Sequence, residues 1–201
     1  MGKTLILNGS PRAPKSNSKR LAALFAAASR TETAYAEITN RNHDALRAQM
    51  ASCSDLLLVF PLYADALPVG LLNFLKYLEE HPLDHRPTLS VLINCGFLEY
   101  QQNEIAIRML RLFSERNGYP FGSVLMIDSG EAILDSPFRP LVRRQIRRLA
   151  RSIERRRYRT LHTTMPLPRK VYLAAATQYW LRYGQRFGTS RRQMETMQIE
   201  A

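Results

Sequence analysis

Cysteine is scarce in this sequence, with Cys53 and Cys95 the only two among 201 residues. They are too few to frame a disulfide scaffold. They form no CxxC pair and make no ligand cluster with the four scattered histidines, so a structural metal or an iron–sulfur cluster is not expected. Long apolar runs are also missing: no stretch approaches the roughly 18 residues that a membrane span needs. The run Leu5 to Leu7 is too short for a signal-peptide core and ends in Asn8, Gly9 and Ser10. Met1-Gly2 is followed by Ile6 where a myristoylation motif wants a hydroxyl. A cytoplasmic location is therefore expected. Acidic residues are outnumbered, 17 against 29 Lys and Arg, for a net charge of +12. The excess is local, because residues 139 to 159 hold ten arginines against Glu154 alone, leaving only +3 elsewhere.

What is present fits an ordinary globular chain, 45% hydrophobic and long enough for one well-buried core. The apolar runs alternate between strand and helix patterns. Lys3 to Asn8 reads as a buried strand, and Leu21, Leu24, Phe25 and Ala28 then give a helical face. Thr33 to Ile38 is a weaker strand followed by a helix near Asp44 to Ala51. Leu56 to Phe60 is continuously apolar, as a doubly covered parallel sheet requires. Pro68 suits the first position of a helix whose buried face is Leu71, Leu72, Leu75 and Leu78. Thr88 to Asn94 is the next strand and Asn103 to Arg116 the next helix, with Asn117-Gly118 placed to cap it. Val124 to Asp128 is a fifth strand. In the helix predicted over Pro137 to Tyr158, Val142, Ile146, Leu149 and Ile153 line one side and the arginines the other.

Five βα units predict an α/β fold: a five-stranded parallel sheet with helices on both faces, for which the flavodoxin-like strand order 2-1-3-4-5 is a natural fit. Residues 1 to 159 would form this domain. Residues 160 to 201 would be a C-terminal helical extension, with Met165 to Pro168 an extended linker and a helix following to Phe187.

In such a sheet ligands bind at the carboxyl ends of the strands, where the order reverses. The loop after the first strand, Asn8 to Ser18, is rich in hydroxyls and leads straight into a helix. A phosphate monoester needs convergent N–H and O–H donors in a positive field. A helix N-terminus preceded by Ser10, Ser16, Asn17 and Ser18 supplies both, and Arg12 can add a charged contact. The loop is neither a Walker A motif nor a GxGxxG turn. The plainer reading is that Ser16 or Ser18 only caps the helix.

Three segments in order resemble the flavodoxin-like NAD(P)H-dependent FMN reductase family. They are Leu7-Asn8-Gly9-Ser10-Pro11-Arg12 with Ser16-Asn17-Ser18, then Phe60-Pro61-Leu62-Tyr63 with Leu67-Pro68, Leu71, Phe74 and Leu75, and then Asn94-Cys95-Gly96-Phe97. The resemblance spans about the first 120 residues. It implies that Ser10, Arg12, Ser16, Asn17 and Ser18 hold the phosphate of FMN. It implies also that Pro61, Leu62, Tyr63 and Ala64 run along the isoalloxazine ring, while Asn94, Cys95, Gly96 and Phe97 border its other edge. The residues themselves agree, since a flavin needs a flat apolar wall and a few amide donors. Tyr63 is equally readable as a core tyrosine, and Cys95 as a small buried hydrophobe. The family's many members with two small residues at the third turn differ from Cys95-Gly96-Phe97 here.

The resemblance further implies an oxidoreductase in which NADPH or NADH reduces bound FMN and a small acceptor, a quinone or flavin, takes the hydride on. No side chain is assigned as catalytic acid or base, and no metal is implied. A flavin-binding sensor or regulatory protein, docked through the arginine-rich helix to an anionic membrane surface or nucleic acid, is the alternative. Tyr172, Ala176, Tyr179, Tyr183 and Phe187 make a further stripe at helical spacing. Such a stripe is more often packing than a ligand box: it would cover the core or reach a second subunit. The family resemblance implies a homodimer, peripheral contact with an anionic membrane is a further alternative, and specific nucleic-acid binding is not expected.

Overall fold

The computed structural model describes residues 2–12 and 15–196, so Ala13 and Pro14 of the first loop, like Met1, lie outside the described residues. The strands are β1 (Thr4–Asn8), β2 (Thr33–Glu37), β3 (Asp55–Pro61), β4 (Thr88–Asn94), β5 (Phe121–Ile127) and β6 (Thr160–Thr163). Between and after them come α1 (Asn17–Ala28), α2 (His43–Ala51), α3 (Val69–Glu80), α4 (Glu104–Asn117), α5 (Arg139–Glu154), α6 (Arg169–Gln185) and α7 (Arg191–Thr196). The sheet is parallel throughout in the order β2-β1-β3-β4-β5-β6.

The order 2-1-3-4-5 is thus present, with a sixth strand where five were expected. Thr160 to Thr163 pairs with Val124 to Ile127 and extends the sheet instead of opening the tail. Leu161 and Thr163 are buried while Thr160 and His162 face out, the alternation of a strand covered on one side. Accordingly the chain divides into compact units at 1–165 and 166–201.

The central strands are apolar at nearly every position because both faces are covered. Alternation decides which layer each residue enters. Leu5, Leu7, Leu56, Leu58, Phe60, Val91 and Ile93 join one core with Leu46 and Met50 of α2, Leu71, Phe74 and Leu75 of α3, and Ile107 and Leu110 of α4. On the other face α1 and α5 pack together, burying Leu21 and Phe25 beside Val142, Ile146 and Leu149. The arginines of α5 fall on its outer side, as its periodicity requires.

Helix boundaries follow local chemistry. Ser16 adopts extended backbone and its hydroxyl accepts the N–H of Lys19, capping α1. Gly118, at φ 72°, ends α4 in the left-handed conformation that glycine adopts without cost. Pro68 stands one residue before α3, as its cap.

The second unit contains α6 and α7. Its turn closes through the Thr189 N–H on the Gly184 carbonyl at 3.0 Å, and Gly184 is buried beside Met194.

Candidate functional site

The strand order reverses at β1. From β1 the chain crosses to β2 on one side, and from β3 to β4 on the other, with α1 and α3 on opposite faces. Their first loops therefore part above the carboxyl ends of β1 and β3 and leave a crevice there.

One wall is the loop from β1 to α1. Asn8, buried at the end of β1, accepts the N–H of Ser10 on Oδ1 at 3.0 Å and donates from Nδ2 to the Tyr35 hydroxyl at 3.0 Å and to Ser16 Oγ at 3.4 Å. Ser10 is buried, and its Oγ accepts the N–H of Arg12. Arg12 and Lys15 are exposed, and among the described residues neither pairs with a carboxylate. The first turn of α1 directs its N–H groups into this loop, where no earlier helical carbonyl exists to accept them.

The side chains expected to meet a phosphate divide into two groups. Ser10, Arg12 and Ser16 lie along the loop. Asn17 and Ser18 reach across it: Asn17 Nδ2 donates to the Gly130 carbonyl at 3.0 Å, and Ser18, buried, donates to Asn94 Oδ1 at 3.2 Å. These two bonds fasten the start of α1 to β4 and to the loop after β5. Arg20 adds a two-pronged pair with Asp135 at 2.9 and 2.5 Å, which holds the Asp135 carboxyl below its usual range.

The opposite wall comes from the loops after β3 and β4. Pro61 stands in register with Asn94, and the N–H of Leu62 donates to the Asn94 carbonyl at 2.8 Å, so the two loops leave the sheet joined. Tyr63 and Ala66 exchange backbone hydrogen bonds around a two-residue turn in which Ala64 (φ 44°) and Asp65 (φ 57°) are both left-handed. A β-carbon disfavours that conformation, at about 1–2 kcal/mol per residue, so the turn is held by its surroundings. Tyr63 is 44% exposed and Phe97 51%, each presenting a ring at the rim. Cys95 is buried.

Gly96 stands in open space, with Glu131 Cγ 4.0 Å from a Cβ placed there. The close approach falls instead at Gly130, where a Cβ would come within 3.0 Å of Asn94 Cβ and of the Cys95 carbonyl. The Gly130 N–H donates to that same carbonyl at 2.6 Å, and the Ser129 N–H to the Phe97 carbonyl at 2.6 Å. Thus the loop after β5 clasps the turn after β4.

Behind this turn lies a polar cluster. Asp128, Asn103 and Cys95 are all buried. Asn103 Nδ2 donates to Asp128 Oδ1 at 2.9 Å, and the Cys95 thiol lies 3.4 Å from the same oxygen. Among the described residues Asp128 Oδ2 and Asn103 Oδ1 have no hydrogen-bond partner. Burial raises the Asp128 carboxyl to about 7, against the pull of its bonds to Cys95 and Asn103. Burial, with the Asp128 charge, also pushes the Cys95 thiol up to about 12, so it stays protonated.

Asn8, Asn103, Asp128 and Gly130 escaped the sequence reading as site residues. Only Asn8 carried a local signal, as an Asx residue opening a loop; the other three act through partners distant in the chain. Among the described residues no three His, Cys, Asp or Glu side chains gather as a metal site. No helix among them is long and apolar enough to cross a membrane.

No family model and no curated protein matches the chain. Solved structures do resemble it. A Trp repressor binding protein from Bacillus subtilis is 14% identical at TM-score 0.60, covering 73% of this chain and 99% of its own. An NAD(P)H:quinone oxidoreductase from Methanothermobacter marburgensis is 12% identical at TM-score 0.59, covering 76% and 97%. A flavodoxin from Streptococcus pneumonia is 14% identical at TM-score 0.56, covering 77% and 98%. At such identities the likeness shows the fold, which is flavodoxin-like.

Proposed function

We propose that this chain binds FMN in the crevice above β1 and β3 and uses it to pass reducing equivalents from NADPH or NADH to a small acceptor such as a quinone or a free flavin. One observation carries the reading. A capped helix N-terminus with two exposed cations that pair with no carboxylate among the described residues faces a crevice whose other wall is a strained turn bearing an exposed tyrosine, fastened to a second turn bearing an exposed phenylalanine.

The residues present suit the group. The first-turn N–H groups of α1, with Ser10, Ser16, Arg12 and Lys15, would take the phosphate. Pro61, Leu62, Tyr63 and Ala64 would line one side of the ring and Asn94 to Phe97 the other edge, where backbone amides can meet its polar atoms. When bound, FMN supplies the redox chemistry, accepting a hydride from the nicotinamide and giving it up to the acceptor. The protein's part is to orient the ring and keep one face open. The same fold holds a quinone oxidoreductase among the solved structures, which supports the reading.

The absorption spectrum of the FMN-saturated, desalted protein, followed anaerobically on adding NADPH and then NADH, tests the proposal. Retained flavin bands that bleach with either nucleotide are expected. Protein that retains no flavin would overturn the assignment of the loop.

A second reading is favoured by a different feature. Arg148, Arg151, Arg155, Arg157 and Arg159 surround a recess of ≈ 170 Å³ where α5 ends and β6 begins, at the end of the sheet away from the crevice. Among the described residues none of the five pairs with a carboxylate. A flavin-binding regulator holding a polyanion there would retain flavin that neither nucleotide bleaches.

A further inference from the structure

Helix α6 carries apolar and aromatic side chains along one face, and most of them are exposed. At 100° per residue, Tyr172, Leu173, Ala176, Tyr179, Trp180, Tyr183 and, just beyond the helix, Phe187 fall within an arc of about 120°. Leu173 is 52% exposed, Tyr179 51%, Trp180 46%, Tyr183 41% and Phe187 70%. The rings touch in sequence, with centroids 5.2 Å apart for Tyr179 and Trp180, 5.8 Å for Trp180 and Tyr183, and 5.2 Å for Tyr183 and Phe187. A contiguous aromatic strip of this kind marks an interaction surface.

Charge selects among the surfaces that could cover it. Arg169, Lys170 and Arg182 lie in α6 and Arg186 caps it, while the helix contains no Asp or Glu. Residues 166 to 201 hold six basic side chains against two acidic ones. A second copy pressed face to face would bring two such excesses together with few carboxylates to offset them. A nucleic acid would be met chiefly by cations, whereas here rings occupy the face, Lys170, Arg182 and Arg186 lie beside it and Arg169 stands at its N-terminal end. Tyrosine and tryptophan place an apolar body below a polar tip, and long cations reach past them to phosphates. A helix about 25 Å long bearing both is shaped to lie in the headgroup layer.

We infer that α6 is an interfacial helix that seats this protein on an anionic lipid bilayer, with the strip from Leu173 to Phe187 among the upper acyl chains and Arg169, Lys170, Arg182 and Arg186 among the headgroups. The inference is independent of the flavin reading and stands or falls without it.

Trp180 is the only tryptophan in the chain, so its emission reports this face alone. The full chain is mixed with vesicles of phosphatidylcholine, or of phosphatidylcholine with phosphatidylglycerol, and followed by cosedimentation and Trp180 fluorescence. Binding to the mixed vesicles, weaker at high salt, is expected, with a blue shift and quenching by brominated acyl chains. Leu173→Ser with Phe187→Ser, both exposed, should weaken binding by at least about tenfold. Arg182→Gln with Arg186→Gln should weaken it mainly at low salt. Binding without quenching by brominated chains would overturn the inference in favour of attraction by charge alone. Emission already blue without lipid, in a protein that sediments as a dimer, would assign the strip to a second copy. Equal failure on both vesicle types would also overturn it.

Discussion

In an unfolded chain an aspartate ionises near pH 4, but burial keeps the Asp128 carboxyl protonated to about 7. Between those values the folded protein holds a proton that the unfolded chain has lost. The stabilisation is thus complete below about pH 4, falls as pH rises through the window and is gone above about 7. Its size is on the order of 4 kcal/mol. Asp128→Asn keeps an acceptor for Asn103 Nδ2 without a charge, so the variant should lose this slope and be the more stable protein at about pH 8. Urea denaturation across the range checks the sign. Two glycines give a second contrast at this scale. Gly130→Ala forces a Cβ against backbone and should cost about 1–3 kcal/mol and weaken FMN binding with it. Gly96→Ala enters open space and should stay within about 0.5 kcal/mol of the parent. Denaturation midpoints and quenching of FMN fluorescence measure both.

At the scale of the element, the cap of α1 separates stability from binding. Ser16→Ala removes the acceptor for the Lys19 N–H and should cost about 1 kcal/mol. Ser16→Asp restores a cap and suits the helix dipole, yet sets a carboxylate where the phosphate is proposed to sit. The Asp variant should match the parent in thermal unfolding without flavin and bind FMN more weakly by about tenfold or more. If both variants bind FMN as the parent does, Ser16 is only a cap. Elements were legible in the sequence where a pattern repeats: β3 and β4 are continuous apolar runs, and α5 shows its stripe over four turns. Strand β6 was not, because four residues with two buried give almost no period and follow a run of arginines. The loop after β1 announced itself by hydroxyls and a helix start. By contrast, the bonds from Ser18 to Asn94 and from Asn103 to Asp128 join residues that only the sheet order brings together.

For the whole molecule the question is where the fold ends. Strand β6 braces the loop after β5: the Asp128 N–H donates to the Thr163 carbonyl at 2.9 Å, and Ser129 Oγ lies 3.2 Å from Thr164 Oγ1. Leu161 and Met165 are buried, so the chain to Met165 contains both its sheet and the apolar residues that close it. A chain ended after Met165 should therefore unfold cooperatively within about 1 kcal/mol of the full protein and bind FMN equally well. One ended after Arg159 loses Leu161 and Thr163 from the core and leaves β5 as a bare edge. It should be less stable by about 3 kcal/mol or more, bind FMN poorly and aggregate. Urea unfolding and size-exclusion chromatography of the two chains decide the matter. If the longer one also unfolds early, α6 and α7 support the core. Their aromatic strip would then serve folding as well as any surface it meets.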